Sequence, residues 1–164
     1  MQQFQFEKLI SNDSINKVFN LFHTSTNQVE IDNAIVDRHA PSSIGHFMVS
    51  KFTIEEFDFL WDEIKDTLTD YELVYCRVLK YNKGCGIQLH TDSYKQGQND
   101  SDYSLIIQLN DPESYAGGHP SVNSQKFYLK PGDAVMYTYS EEHGVDIVRK
   151  GIRYVVNLRL KKVK

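Results

Sequence analysis

His90 and Asp92 stand two residues apart in "IQLHTDSY", residues 87–94, a stretch that alternates apolar and polar side chains. On a strand, residues i and i+2 leave the same face about 7 Å apart, so imidazole and carboxylate can converge while Thr91 turns away. Two polar residues closing a strand would look the same, so a metal reading needs a third ligand from elsewhere. The other histidines are His23, His39, His46, His119 and His143. His143 has the most suggestive context: it lies just beyond one strand pattern, and Arg153 opens the next, ten residues on. Two histidines and one carboxylate leave positions open on an octahedral ion, as in facial-triad non-haem iron centres. Arg153 is always charged and can grip a carboxylate bidentately, which suits an anionic co-substrate held beside such an ion. A structural zinc would favour four closed ligands, usually including cysteine. Neither Cys76 nor Cys85 has a spacing that fits.

Such residues need elements to hold them. Before residue 70 the pattern is partly helical: "NDSINKVFNLFHTS" repeats Ile15, Val18, Phe19 and Phe22 at helical spacing. "TIEEFDFLWDEIKDTL" adds a Thr53–Glu56 capping box and an apolar face of Phe57, Leu60, Trp61, Ile64 and Leu68. Beyond residue 70 strands alternate with turns: "YELVYCRVLKY", "YSLIIQLN", "KFYL", "AVMYTY" and "RYVVNLRLK". "NDPES" and "KPGD" read as turns between them, with Asp133 serving the second turn rather than catalysis. Short strands without intervening helices predict an antiparallel sandwich or barrel. One domain over 1–164 is expected, with residues 1–70 as helical or mixed support and 71–164 as the β core.

The composition narrows the setting. A net charge of −4 and a pI near 5.8 give no basic footprint for nucleic acid, and the one basic cluster is the tail "RLKKVK". The start "MQQFQFEKLI" lacks the pattern of a signal peptide, and no segment has the eighteen or so apolar residues of a membrane span. A cytoplasmic, reduced protein is the expectation.

From Tyr75 to Leu160 the chain resembles the 2-oxoglutarate and Fe(II)-dependent oxygenases, in particular their prolyl 4-hydroxylase-like branch. Four blocks carry the resemblance in family order: "YNKGCGIQLHTD", "LIIQLNDPESYAGGHP", "LKPGDAVMY" and "HGVDIVRKGIRY". The resemblance implies a mainly β (α+β) fold, a double-stranded β-helix or jelly-roll core with N-terminal flanking helices. It implies that His90, Asp92 and His143 ligate iron, that Arg153 pairs with the far carboxylate of 2-oxoglutarate, and that the Tyr81 phenol helps hold it. The implied reaction consumes 2-oxoglutarate and O2, releases succinate and CO2, and hydroxylates an unactivated C–H bond. A prolyl residue in a peptide or protein is the expected target, with a small molecule as the other option and ascorbate as an optional reductant.

The chain departs from that branch in places. His119 stands where Glu often follows the Gly-Gly pair, Ile87 where an aromatic is common, and Arg159 where many have Trp. Arg153 and Arg159, six apart, instead resemble the Arg-x5-Arg end of the alkylation-repair nucleic-acid demethylases of the same superfamily. That activity is an alternative reading, as is a jelly-roll module that binds a metal or small molecule without turnover.

Overall fold

The computed structural model describes residues 4–32, 43–92 and 102–163; His39 and the side chain of His46 lie outside what it describes, as do residues 93–94. The chain runs through β1 (Phe4–Phe6), α1 (Asn12–Thr24), β2 (Gln28–Asp32), β3 (Ser43–Ile44), β4 (His46–Phe52) and α2 (Asp58–Ile64). It continues with β5 (Tyr71–Tyr81), β6 (Gly86–His90), β7 (Tyr103–Gln108), β8 (Pro120–Val122) and β9 (Gln125–Lys126). Strands β10 (Ala134–Thr138), β11 (His143–Val145) and β12 (Arg153–Lys162) complete it. Among the described residues they form a seven-stranded antiparallel sheet, ordered β1-β10-β7-β12-β5-β4-β2, and a five-stranded one, ordered β3-β6-β11-β8-β9.

Strand β12 shows how the sequence divides the large sheet between two duties. It is paired on one side with β5 and on the other with β7. Val156, Leu158 and Leu160 face a core shared with Val18, Phe57 and Leu60 of the helical layer. Burying each such apolar side chain contributes about 1.5–3 kcal/mol. The alternate residues Arg153, Val155, Asn157 and Arg159 take the opposite face, towards the small sheet. Apolar and polar chemistry are thus separated by strand parity alone.

The helices form where the sequence predicts them, with one difference. Ser11 caps α1 by accepting from Ser14 N. The backbone of Ser11 and the hydroxyl of Ser14 donate to Glu63, tying α1 to α2. Thr53 and Glu56 form the expected reciprocal cap, at 2.9 and 3.1 Å. The helix they open is short: a 3-10 turn over Glu55–Phe57 leads into α2, which stops at Ile64. Asp66, Thr67, Thr69 and Asp70 are poor helix formers, and Leu68 stays buried through turns instead.

The N-terminal seventy residues are more than helical support. β1 forms one edge of the large sheet by pairing with β10, and β4 and β2 extend the sheet beyond β5. β3 pairs with β6 in the small sheet. The expected strand "KFYL" is only partly laddered: Phe127 and Leu129 are buried on alternating positions, beyond the two residues of β9. Asp133 serves its turn as expected, accepting from Lys130 N, and it also accepts from Lys8 N. Among the described residues no helix is long and apolar enough to cross a membrane.

Candidate metal centre

His90 closes β6, His143 opens β11, and the two are direct cross-strand partners, with ring centroids 4.4 Å apart. Asp92 lies just past β6, where its backbone N–H donates to Tyr139 O at 2.8 Å. That bond crosses from the end of β6 to the turn after β10, so three elements fix one small volume and hold the carboxylate beside the rings. His90 Nε2 lies 3.2 Å from Asp92 Oδ1, and His143 Nε2 lies 3.5 Å from Asp92 Oδ2. One ligand atom from each residue falls within 4.8 Å of the others.

The outward ring nitrogens settle which atoms can bind. Nδ1 of His90 lies 2.8 Å from Gln88 O, and Nδ1 of His143 lies 2.8 Å from Glu141 O. A carbonyl only accepts, so each Nδ1 carries the proton and each Nε2 presents its lone pair to the centre. Asp92 Oδ1 is buried with no hydrogen-bond partner, whereas Oδ2 accepts from Arg159 Nη1 at 3.0 Å. Burial pushes the Asp92 carboxyl up, but the contacts with His143 and His90, which act only where Nε2 carries a proton in place of a metal, and the Arg159 charge outweigh it and hold the group well below the usual carboxylate range. An ionised carboxylate with one oxygen anchored and one unpaired, beside two imidazole lone pairs, fits a divalent ion bound from one side.

Arg153 lies at the start of β12, opposite Tyr81 in register. It is among the largest fully buried side chains of the protein, and its charge has no carboxylate partner among the described residues. Its Nε donates to Gln108 Oε1 at 3.0 Å, its guanidinium carbon lies 5.3 Å from the Tyr81 ring centre, and Nη2 has no hydrogen-bond partner. Burial raises the Tyr81 phenol, with Arg153 and Arg77 opposing, so the hydroxyl stays protonated and can donate. Gly118 makes room here: a Cβ on it would lie 2.8 Å from Val148 Cγ2 and 3.3 Å from Arg153 Cδ. Its neighbour Gly117 has φ +75°, and a Cβ there would sit 2.1 Å from Ile147 O, so the Gly-Gly step is a close backbone approach.

His90, Asp92 and His143 are therefore brought together, and Arg153 and Tyr81 meet along the same face of the large sheet. His23 and His119 do not join the cluster. The His119 ring packs on exposed Tyr128, 4.5 Å between centroids, while its backbone N–H donates to Asp146 Oδ1. Sequence reasoning missed Gln108, which accepts from Arg153 Nε, Tyr115, whose phenol hydrogen-bonds with Arg153, and Arg77, which donates to Asn157 on the same sheet face. The signal for Gln108 was a polar residue in the apolar run "LIIQL", and for Arg77 a charge inside "YCRVL".

A two-sheet antiparallel sandwich holding an open His-Asp-His cluster defines a jelly-roll metalloprotein. Its family follows from comparison with known proteins: residues 76–160 match the 2OG-Fe(II) oxygenase superfamily, to which the chain belongs. A PKHD-type hydroxylase from Thermosynechococcus vestitus is 38% identical over 84 residues, 46% of this chain and 38% of the relative. The match thus spans less than two fifths of that curated relative. Among solved structures, a 2OG-Fe(II) oxygenase family oxidoreductase from Burkholderia pseudomallei superposes with TM-score 0.74 at 15% identity, covering 97% of this chain and 84% of that one. A Pseudomonas putida prolyl-4-hydroxylase gives TM-score 0.69 at 13% identity, covering 98% and 92%. Both structural likenesses carry the fold. Fe(II) and 2-oxoglutarate are the metal and co-substrate that family membership brings, and the donor set fits them.

Proposed function

We propose that the protein is a 2-oxoglutarate- and Fe(II)-dependent dioxygenase that hydroxylates a prolyl residue in a peptide or protein. One observation carries the reading: an open His-Asp-His cluster shares a sheet face with a buried guanidinium whose Nη2 is unpaired. In the reading His90, Asp92 and His143 hold the ion through Nε2, Oδ1 and Nε2. Arg153 receives the distant carboxylate of 2-oxoglutarate, and Tyr81 donates its phenol proton to the same molecule. Val49, Leu79, Val148 and Val155 form an apolar patch beside them that helps exclude water. When bound, Fe(II) with 2-oxoglutarate and O2 supplies the oxidising power for C–H hydroxylation.

The prolyl target is supported by two relatives, a PKHD-type hydroxylase similar in sequence and a prolyl-4-hydroxylase similar in fold. A reducing, cytoplasmic setting belongs to the same reading and is supported by two buried cysteines, Cys76 and Cys85, neither in a disulfide. Ascorbate belongs to it as an optional reductant. The test is direct. Protein supplied with Fe(II), 2-oxoglutarate and proline-rich peptides should form succinate and add about 16 mass units to the peptide, with ascorbate affecting only the duration of turnover. Formaldehyde release from a methylated oligonucleotide, with affinity falling steeply as salt is added, would replace this reading by the demethylase alternative.

A further inference from the structure

Three cations cross the large sheet beside the metal centre. Lys51 on β4 is the register partner of Arg77 on β5, and Arg77 is the partner of Asn157 on β12, two residues before Arg159. Arg77 Nε donates to Asn157 Oδ1 at 2.8 Å. Lys51 Nζ and the Arg77 guanidinium lie 5.7 and 5.9 Å from the centre of the Tyr75 ring. Burial and the nearby Arg159 charge both push Arg77 below its ordinary range, a sign of mutual repulsion.

Like charges directly opposite each other across a ladder destabilise a sheet. Here the partners of Lys51 and Arg77 are a neutral amide and an aromatic ring; among the described residues neither has a carboxylate. The exposure is graded along the row: Lys51 is exposed, Arg77 partly exposed and Arg159 buried. Arg159 is already bonded to Asp92, the carboxylate that the metal also needs. With Fe(II) in place, the ion and the guanidiniums of Arg77, Arg153 and Arg159 stand beside Asp92, and among the described residues none of the three guanidiniums has another carboxylate partner. The two carboxylates of 2-oxoglutarate would offset half of the positive charge that remains. A surplus of this sign beside the reacting carbon favours an anion.

We infer that the primary substrate carries a carboxylate close to the carbon that is hydroxylated, and that Arg77 receives it, with Lys51 at the rim. The inference rests on the hydroxylase reading above and narrows it from a prolyl group to an acidic one. The carboxylate can belong to an acidic residue beside the proline or to a free amino acid. Phosphate is the less suitable partner, because a nucleic acid needs several exposed cations along its backbone and this row leads inward to one point.

Calorimetric binding to the Fe(II)- and 2-oxoglutarate-loaded protein, without oxygen, tests it. The probes are blocked proline peptides differing only by Asp or Asn beside the proline, and free L-proline against L-prolinamide. In at least one pair the acid should bind about tenfold tighter or more, and which pair does so identifies the source of the carboxylate. Arg77→Met should remove that preference and Lys51→Gln should reduce it, with the affinity for 2-oxoglutarate retained in both. Arg77→Lys, which keeps a cation there if Arg77→Met fails to fold, should retain part of it. Equal binding of acid and amide, or no binding by any probe, overturns the inference. So does Arg77→Met weakening 2-oxoglutarate instead, which would give Arg77 to the co-substrate, or salt-sensitive binding of a methylated oligonucleotide through the same residues. An acid that binds through Arg77 but gains no oxygen in air sinks the hydroxylase reading and leaves the carboxylate site standing. Equal hydroxylation of acidic and neutral peptides does the reverse.

Discussion

Arg153 and Arg159 sit on one face of one strand, both buried, yet their surroundings differ. Arg159 has an ionised partner, Asp92, at 3.0 Å. Arg153 has a neutral amide, an aromatic face and an unpaired Nη2. A buried charge with a counter-charge is largely self-contained, whereas one without it is stable only if dipoles or a ligand replace the missing water. In the proposed reading, the contrast separates a guanidinium that orients a protein carboxylate from one that receives a carboxylate from outside.

Substitutions can break that contrast in order of effect. Asp92→Asn should be the most severe: it removes the charged ligand, and metal affinity measured with Mn(II) should fall by more than about a hundredfold. The asparagine leaves an acceptor for Arg159, so the fold should survive better than in Asp92→Ala, which strands a buried guanidinium. Arg153→Leu should raise the half-saturating concentration of 2-oxoglutarate about ten- to a hundredfold while Mn(II) still binds. An unchanged value would move the co-substrate grip elsewhere. Arg159→Gln should show the converse pattern, a loss of about tenfold in Mn(II) affinity with little change for 2-oxoglutarate.

The dependence on pH sharpens the same comparison. Protons compete with the metal for its ligands, so Mn(II) affinity should decline as the solution is acidified. Asp92 should not add to that decline. Its folded-state pKa is depressed, so the stability it contributes is present above the ordinary carboxylate range and lost only under strongly acidic conditions. A separate drop in metal binding at about pH 4, where an unperturbed carboxylate titrates, would contradict this. Gly118→Ala should act through packing: φ is +67° and the methyl would meet buried Val148 Cγ2 at 2.8 Å and Arg153 Cδ at 3.3 Å, so it should lower stability and weaken 2-oxoglutarate binding together.

Much of this was legible in the sequence because strand parity is so regular. Arg153 and Arg159, six apart within one strand, announce a shared face without any knowledge of the fold, whereas Asp92 reaches His90 from past the end of β6, through its bond to Tyr139 O. The four blocks between Tyr75 and Leu160 supplied the order of the core strands. Less visible were the strands contributed by the N-terminal part. "FQF" and "HFMVSKF" are too short to declare a partner, and their pairing with β10 and β5 depends on contacts remote in sequence. Arg77 was hidden for a different reason. In a strand with apolar residues on both faces, a single charge does not reveal which side it takes until the register with Asn157 is known.

Strand β12 also links evolution of the site to survival of the fold. It is hydrogen-bonded along both edges, and its odd-numbered face carries both arginines while its even-numbered face completes the helix-backed core. A slip of one residue would drive two guanidiniums into that core and turn Val156, Leu158 and Leu160 towards the metal. Such a chain would be discarded as unfolded before it could be tested as an enzyme. The segment that precedes Arg153 is bound as closely, through Val148 to Gly84 and Cys85 and through Arg149 and Lys150 to Ala116, so an added residue there or inside the strand would be costly. Changes in specificity are therefore expected to arise by exchanging side chains along the existing register, with the ladder itself held constant.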